Sequence, residues 1–309
     1  LAIYPLENSV VNNADTAIHL KVVSQDNKYH IENPEFKVNG NIAFGINVYD
    51  QADGSPNKNG AHSIELYADD KLIFKIVSDK YSYGETRYIN SMIDYSHYIR
   101  NNERFIRTEI DKFNKLSNLY KTTNGVVNVN EYDTIKMKYV VKDYNNNKSV
   151  LNFTLVGSGS VDLEEKPILP RSFYRIYDGE AGNINLDGFE VEIPQTAFYD
   201  DVAIKAERID TITDTYSIFA YRLGTEEIPL HKKINIRLKR KSEYMNDSSL
   251  YIATINTKGE YTFLGNEYIE RYSAGIKSTG AYSVTLLLVL LLIFSYLVTD
   301  TQKLDKDTI

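Results

Sequence analysis

Five histidines, His19, His30, His62, His97 and His231, are the side chains of this chain best suited to acid–base work or to holding a transition metal. None is followed by a second histidine two, three or four residues on, so no local unit aims two imidazoles at one ion. Each reads as a surface or strand residue. Cysteine is absent, which removes disulfides, thiolate ligands and thiol nucleophiles together and leaves the redox compartment open. A Ser–His–acid triad is compatible with the composition, but there is no G-x-S-x-G elbow, and Gly157-Ser-Gly-Ser160 lies in linker-like sequence. Phosphate loops of the G-x-G-x-x-G and G-x-x-x-x-G-K-[ST] types are missing as well. The best metal candidate is an oxygen set, Asp50, Asp53, Ser55, Asn57 and Asn59, which could converge on calcium between strand ends. Its spacing is not that of an EF-hand, and turn-forming Asp and Asn account for it without an ion. No catalytic, cofactor-binding or metal-ligating residue is therefore assigned.

The elements around these residues read as β-structure. Two runs, Ile42 to Gln51 and His62 to Val77, flank the polar loop Asp53-Gly-Ser-Pro-Asn-Lys-Asn-Gly60, whose composition favours a turn that pairs them. In the second run Ile64, Leu66, Leu72, Phe74 and Ile76 alternate with residues such as Glu65, Lys71 and Lys75, giving one buried and one wet face. Asp69-Asp70 breaks that alternation and predicts two strands joined by a tight turn. Further strands are expected near 17–24, 36–38, 126–129, 134–142 and 149–156, the last two as a hairpin around Asp143-Tyr-Asn-Asn-Asn147. Phe105, Ile106, Ile110, Phe113, Leu116 and Leu119 recur at nearly helical spacing, which predicts a short helical insertion within 91–120.

The expected organisation is a β-sandwich over 1–157, a linker over 158–170 containing Pro167 and Pro170, and a second β-sandwich over 171–281. Both sandwiches are expected to be immunoglobulin-like. In the second, the basic run Lys232-Lys233 to Arg237-Leu-Lys-Arg-Lys241 alternates with Ile234, Ile236 and Leu238, the pattern of a strand with one solvated face. Residues 282–299 carry no charge and include nine consecutive apolar residues, Leu286 to Phe294. As a helix they would span about 27 Å, with insertion favoured by on the order of −5 kcal/mol, so a C-terminal transmembrane helix is expected ahead of a buried strand, followed by a tail over 300–309. Flanking Lys and Arg set no orientation for it.

At 309 residues, two domains and a tail fit better than one core, and 42% hydrophobic with 25% charged residues is ordinary globular composition. The formal charge of −7 argues against nucleic acid as a partner. Tyrosine is abundant at 25 and tryptophan is absent, which suits strand faces more than a sugar-stacking platform. With no initiator Met and no signal-peptide pattern at Leu1, the chain is expected to begin in mid-protein.

Several blocks carry a family resemblance: Leu1-Ala-Ile-Tyr-Pro-Leu6, Ile42-Ala-Phe-Gly-Ile-Asn-Val-Tyr-Asp50, Pro56-Asn-Lys-Asn-Gly60, Ser63-Ile-Glu-Leu66 and Arg87-Tyr-Ile-Asn90. With Asn124-Gly-Val-Val-Asn128, Tyr139-Val-Val-Lys-Asp143 and Pro229-Leu-His-Lys232, they resemble the C-terminal, non-catalytic region of lysostaphin-like (LytM-type) zinc metalloendopeptidases of Gram-negative envelopes. The resemblance covers most of residues 1–282 and rests on block order. It implies an upstream domain that binds zinc through H-x-x-x-D and H-x-H pairs and cleaves peptidoglycan cross-links. This chain has neither pair, so no catalytic residue carries over and no cofactor is expected within it. The expectation is an accessory region, in the periplasm or at the cell surface, that positions the peptidase or binds cell wall or an envelope protein. The alternative is an independent envelope adhesion or scaffold module. The apolar tail departs from the family pattern, and two explanations stand: a true anchor, or a reading-frame change.

Overall fold

A computed structural model describes the chain apart from residues 27, 52, 53, 55, 81, 123, 160–168, 178, 210–216, 240–249, 256–260, 266–271, 278–285 and 293–309. The chain is mainly β and divides into two compact units, Leu1–Pro167 and Ile168–Ile309.

The first unit opens with β1 (Ala2–Pro5), β2 (Val10–Val11), β3 (Ile18–His19), the small hairpin of β4 (Val23–Gln25) and β5 (Lys28–His30), and the long β6 (Glu35–Ile46). After β7 (Ser63–Ala68) and β8 (Lys71–Val77) come a 3-10 segment, Tyr83–Tyr88, and two short helices, α1 (Ile89–Met92) and α2 (Tyr95–Asn101). The unit closes with β9 (Ile106–Arg107), β10 (Val127–Val129), β11 (Thr134–Lys142) and β12 (Lys148–Gly157). Strand β6 organises all of it by changing partners along its length. Its first half runs parallel to β12 and antiparallel to β2, and its second half pairs with β1, β10 and β9. Gly40, at φ +89°, sits where the partners change, and a Cβ there would meet the Ser9 hydroxyl at 2.4 Å. The result is a sandwich-like body in which one strand serves both layers. Phe44 and Phe36 of β6 meet Phe153 of β12 at ring separations of 5.7 and 6.2 Å. Ile42, Phe44, Leu66, Phe74 and Leu155 are fully buried around them.

Local chemistry explains the two best-defined hairpins. Asp69 and Asp70 take φ values of +46° and +63°, the left-handed pair that a two-residue turn between twisted strands requires, and β7 and β8 pair on either side. Asp143 accepts hydrogen bonds from the Asn147 backbone and side chain at 2.8 and 2.6 Å, closing the loop from which β11 and β12 pair over nine residues.

One expectation fails in this unit and another holds in part. The runs around the loop at 53–60 do not form a hairpin: β7 pairs with β8 and β11, β6 ends at Ile46, and the loop is bridged at Asp50–Asn59. The helical insertion expected near 91–120 is met in part: α2 lies within that range, but the helical stretch begins earlier, at Tyr83, and ends at Asn102, whose left-handed φ of 57° stops α2. Downstream, Ile106 enters a strand, while Phe105, Leu116 and Leu119 are buried from turns, one of them held by Asn114 Oδ1 accepting from the Leu116 N–H at 2.9 Å. Loop residues packed down singly on a core imitate helical spacing.

Among the described residues the second unit has two sheets. The strands are β13 (Phe173–Ile176), β14 (Gly182–Leu186), β15 (Phe189–Ile193), β16 (Val202–Ile209), β17 (Ser217–Leu223), β18 (Asn235–Lys239), β19 (Leu250–Ile255), β20 (Tyr261–Gly265), β21 (Tyr272–Lys277) and β22 (Leu286–Leu292). One sheet has the order β13-β16-β17-β22-β19-β20 and the other β14-β15-β18-β21. Their shared core includes Phe189 of β15 stacked on Tyr221 of β17 at 4.7 Å. The basic run behaves as its alternation predicts up to Leu238, with Arg240 and Lys241 outside the described residues: Ile234, Ile236 and Leu238 are buried, while the partly exposed Arg237 pairs with Glu192 and Glu190 of the neighbouring strand.

The tail corrects the sequence reading most sharply. Residues 286–292 form no helix but a strand, β22, paired on one edge with β17 and on the other with β19. A strand inside a sheet loses its alternation when both faces are apolar, and hydropathy alone cannot separate that from a buried helix. Among the described residues no helix is long and apolar enough to cross a membrane. Residues 282–285 and 293–299 of the expected span lie outside the described residues, as does most of the 158–170 linker.

Candidate functional site

Tertiary structure brings together three potential ligand residues that no sequence motif links: His19, Asp94 and His97, whose donor atoms all lie within 4.8 Å of one another. Three local devices place them. His19 closes β3 and is set opposite Ala2 by pairing with β1. Asp94 follows the bridge of Ile93 to Ile106 and caps α2, its Oδ1 accepting from the His97 N–H at 3.0 Å. The cap–N3 spacing then carries His97 on the first turn, beside the carboxylate that starts it.

The site is polar at its centre and aromatic around it. Asp94 Oδ2 accepts from the Tyr4 hydroxyl at 3.0 Å and lies 3.2 Å from His19 Nε2. The imidazoles of His19 and His97 stack with centroids 3.9 Å apart and planes 16° from parallel. Phe105 meets both rings edge-on at 5.0 and 5.1 Å. His97 Nε2 lies 2.9 Å from Glu103 Oε2, and its Nδ1 is 3.2 Å from the Asn101 amide nitrogen. Tyr4 reaches Asp94 because β6 offers Gly45 beneath it: a Cβ there would stand 2.9 Å from both the Tyr4 ring and its hydroxyl.

Burial acts first on each charge. It would raise the Asp94 carboxyl, but the His97 N–H, the Tyr4 hydroxyl and the His19 ring outweigh it and hold the group below its usual range. Burial lowers His19, with the Asp94 contact opposing, and raises the Tyr4 phenol, with Asp94 reinforcing. The arrangement is thus an ionised carboxylate beside imidazoles, a donor set for a divalent transition metal.

The remaining histidines stand apart from this cluster, and of the oxygen set Asp50, Asn57 and Asn59 fall among the described residues. Asp50 and Asn59 exchange backbone hydrogen bonds at 2.8 and 2.7 Å, while Asp53 and Ser55 lie outside the described residues. His30 is exposed at the end of β5; His62 stands 3.8 Å from Asp79, and His231 Nδ1 lies 3.3 Å from the Tyr199 hydroxyl. A search for paired histidines misses the cluster because its local signal is Asp94-Tyr-Ser-His97, a capping Asp three residues before a His. Nothing in sequence marks His19, which reaches the site through strand pairing.

Where β6 parts from β12, an open cleft of about 310 Å³ is lined by Tyr29, Ile46, Tyr49, Tyr139, Val141 and Leu151, among others. Tyr29 and Tyr49 are 44% and 55% exposed, and Lys58 Nζ sits 4.2 Å over the Tyr49 ring. The Tyr139 hydroxyl is buried with no hydrogen-bond partner among the described residues.

These features define a mainly β protein of two units, with a histidine–carboxylate cluster and an aromatic cleft in the first. A family profile described as a Zu5-like domain matches residues 177–286, within the second unit, and over that stretch the chain is similar to such a domain. No curated protein matches the chain.

Proposed function

We propose that this chain is the non-catalytic accessory region of an envelope peptidoglycan metalloendopeptidase, built of two immunoglobulin-like sandwiches that hold the peptidase against the wall. Bond cleavage and its zinc belong to an upstream domain in this reading. The block order of the sequence supports it, and the observation that carries it is the cleft with Tyr29 and Tyr49 exposed beside Lys58. Tyrosine faces pack against sugar rings, and an ammonium group suits the carboxylates of peptide stems. The purified chain should co-sediment with insoluble peptidoglycan, and a Tyr29→Ala, Tyr49→Ala double variant should bind roughly fivefold or more weakly. Equal binding by the variant would remove the cleft from the reading. Zinc-dependent turnover of muropeptides by the whole chain alone would overturn the non-catalytic assignment.

The Zu5-like match favours a second reading, because its description names a domain and no peptidase. In that reading the chain is an adhesion or scaffold module of the envelope. Extending the reading frame upstream of Leu1 separates the two: an H-x-x-x-D and an H-x-H pair belong to the first and not to the second.

A further inference from the structure

We propose that His19, Asp94 and His97 bind one divalent transition-metal ion of the zinc class, with Glu103 closing the coordination shell, and that the ion clamps β3 to α2.

The distances are close to what one ion needs, although the His19 and His97 rings, stacked 16° from parallel, have to swing apart for both lone pairs to meet it. At Zn–N and Zn–O bonds of about 2.0–2.2 Å, ligand atoms of a tetrahedral site stand about 3.3–3.5 Å apart. His19 Nε2 and Asp94 Oδ2 already stand at 3.2 Å, and the whole triad lies within 4.8 Å. Glu103, whose Oε2 is 2.9 Å from His97 Nε2 but which lies outside the set of donors within 4.8 Å, has an exposed side chain that would have to turn inward to become a fourth donor. Outer contacts complete the pattern. The Tyr4 hydroxyl orients the Asp94 carboxylate, Asn101 engages His97 Nδ1, and Phe105 packs against both imidazoles. With an ion on His97 Nε2 the ring proton sits on Nδ1, and the Asn101 amide, which donates to Nδ1 and to the His97 carbonyl, then keeps only the carbonyl bond. Side-chain exposures of 25%, 16% and 11% for His19, Asp94 and His97 leave an entry path from solvent. Two imidazoles and a carboxylate favour zinc, nickel or copper over magnesium and calcium, which take oxygen ligands.

The ligands come from segments 75 residues apart, so an ion here fastens the edge strand β3 to the helical insertion. With Glu103 as fourth ligand the site is closed, as structural zinc sites are.

The test uses the whole chain, stripped of metal by a chelator and titrated with Zn2+ alone. One equivalent should bind with Kd below about 1 µM, and Tm should rise by roughly 5 °C or more at saturation. Co2+ should give the intense visible bands of a tetrahedral site, and Mg2+ in large excess should not compete. His19→Gln, at the end of a two-residue edge strand, should keep the far-UV spectrum and weaken binding by at least tenfold, as should His97→Gln. His62→Gln and His231→Gln should leave the Kd unchanged. Binding that survives His19→Gln, that falls in His62→Gln or His231→Gln, or that never reaches one equivalent would overturn the proposal. The outcome is independent of peptidoglycan binding, which reads a different surface.

Discussion

The first unit contains two buried polar clusters that solve the problem of a sequestered carboxylate in opposite ways. Glu65 of β7 has a side chain only 4% exposed, yet Lys75 and Lys142 reach it at 2.9 and 3.0 Å and the Tyr67 hydroxyl donates to it at 2.8 Å. Its cations come from the strands on either side, β8 and β11, so the sheet neutralises the charge as it forms. Asp94 is approached instead by a phenol, an imidazole and a backbone N–H, with no lysine or arginine among its described contacts. Glu103 adds a second carboxylate through His97. A carboxylate surrounded by ammonium groups is finished structure. One held only by hydrogen-bond donors, with no lysine or arginine among its described contacts, has more to gain from an added cation.

Removing the internal counter-charge should have the largest effect. Glu65→Ala leaves two ammonium groups facing each other across β7, and urea unfolding should show a loss of about 2–3 kcal/mol, the lower end for a buried pair because both lysines are partly exposed. The pH dependence has a definite sign. Burial alone would raise the Glu65 carboxyl, but the two lysines and Tyr67 hold it at about 2 against an ordinary value of 4.5. A depressed folded-state pKa stabilises fully above 4.5 and is lost as pH falls toward 2. The wild-type advantage over Glu65→Ala should therefore be constant from pH 5 to 7, which are about half a unit or more above the unfolded value, and shrink below it. An advantage that persisted unchanged to pH 2 would mean that ionisation of Glu65 contributes nothing.

The next test strikes the support beneath the second cluster. A Cβ on residue 45 would lie 2.9 Å from the Tyr4 ring and 3.3 Å from the Phe105 Cβ, so Gly45→Ala must displace Tyr4 from Asp94. We expect a stability loss of about 1–2 kcal/mol from overpacking, together with weaker zinc binding. The Glu65 cluster should not respond, and the acid profile of Gly45→Ala should run parallel to wild type. A changed profile would show that the two clusters are one coupled network.

These clusters also mark how far sequence reading reaches. The Asp69-Asp70 turn and the Asp143 loop were legible because turn chemistry is local: Asp and Asn side chains and a left-handed backbone suffice. The apolar strand β22 was not, since an unbroken run such as Leu286–Leu292 fits either a span or an interior strand until its partners are known. Glu65 read as a wet-face residue, and only the register of β7 with β8 and β11 places Lys75 and Lys142 over it. At the candidate site the halves differ in the same way. Asp94 and His97 belong to one capped helix and could have been paired from spacing, whereas His19 depends on β3 finding β1.

The smallest expected effect separates the two roles of Asp94. As a cap it needs only one oxygen for the His97 N–H; as a ligand it needs a carboxylate. In metal-free protein Asp94→Ala should cost about 1 kcal/mol, and Asp94→Ser should recover most of that because serine is an equally good cap. Added Zn2+ should then raise the Tm of wild type and leave both variants where they were. Serine restores the helix start but offers no carboxylate for an ion and only one hydroxyl to share with Tyr4 and His19. A serine variant that gained as much as wild type from zinc would reduce Asp94 to a helix cap and leave the ion, if bound, to the histidines and Glu103.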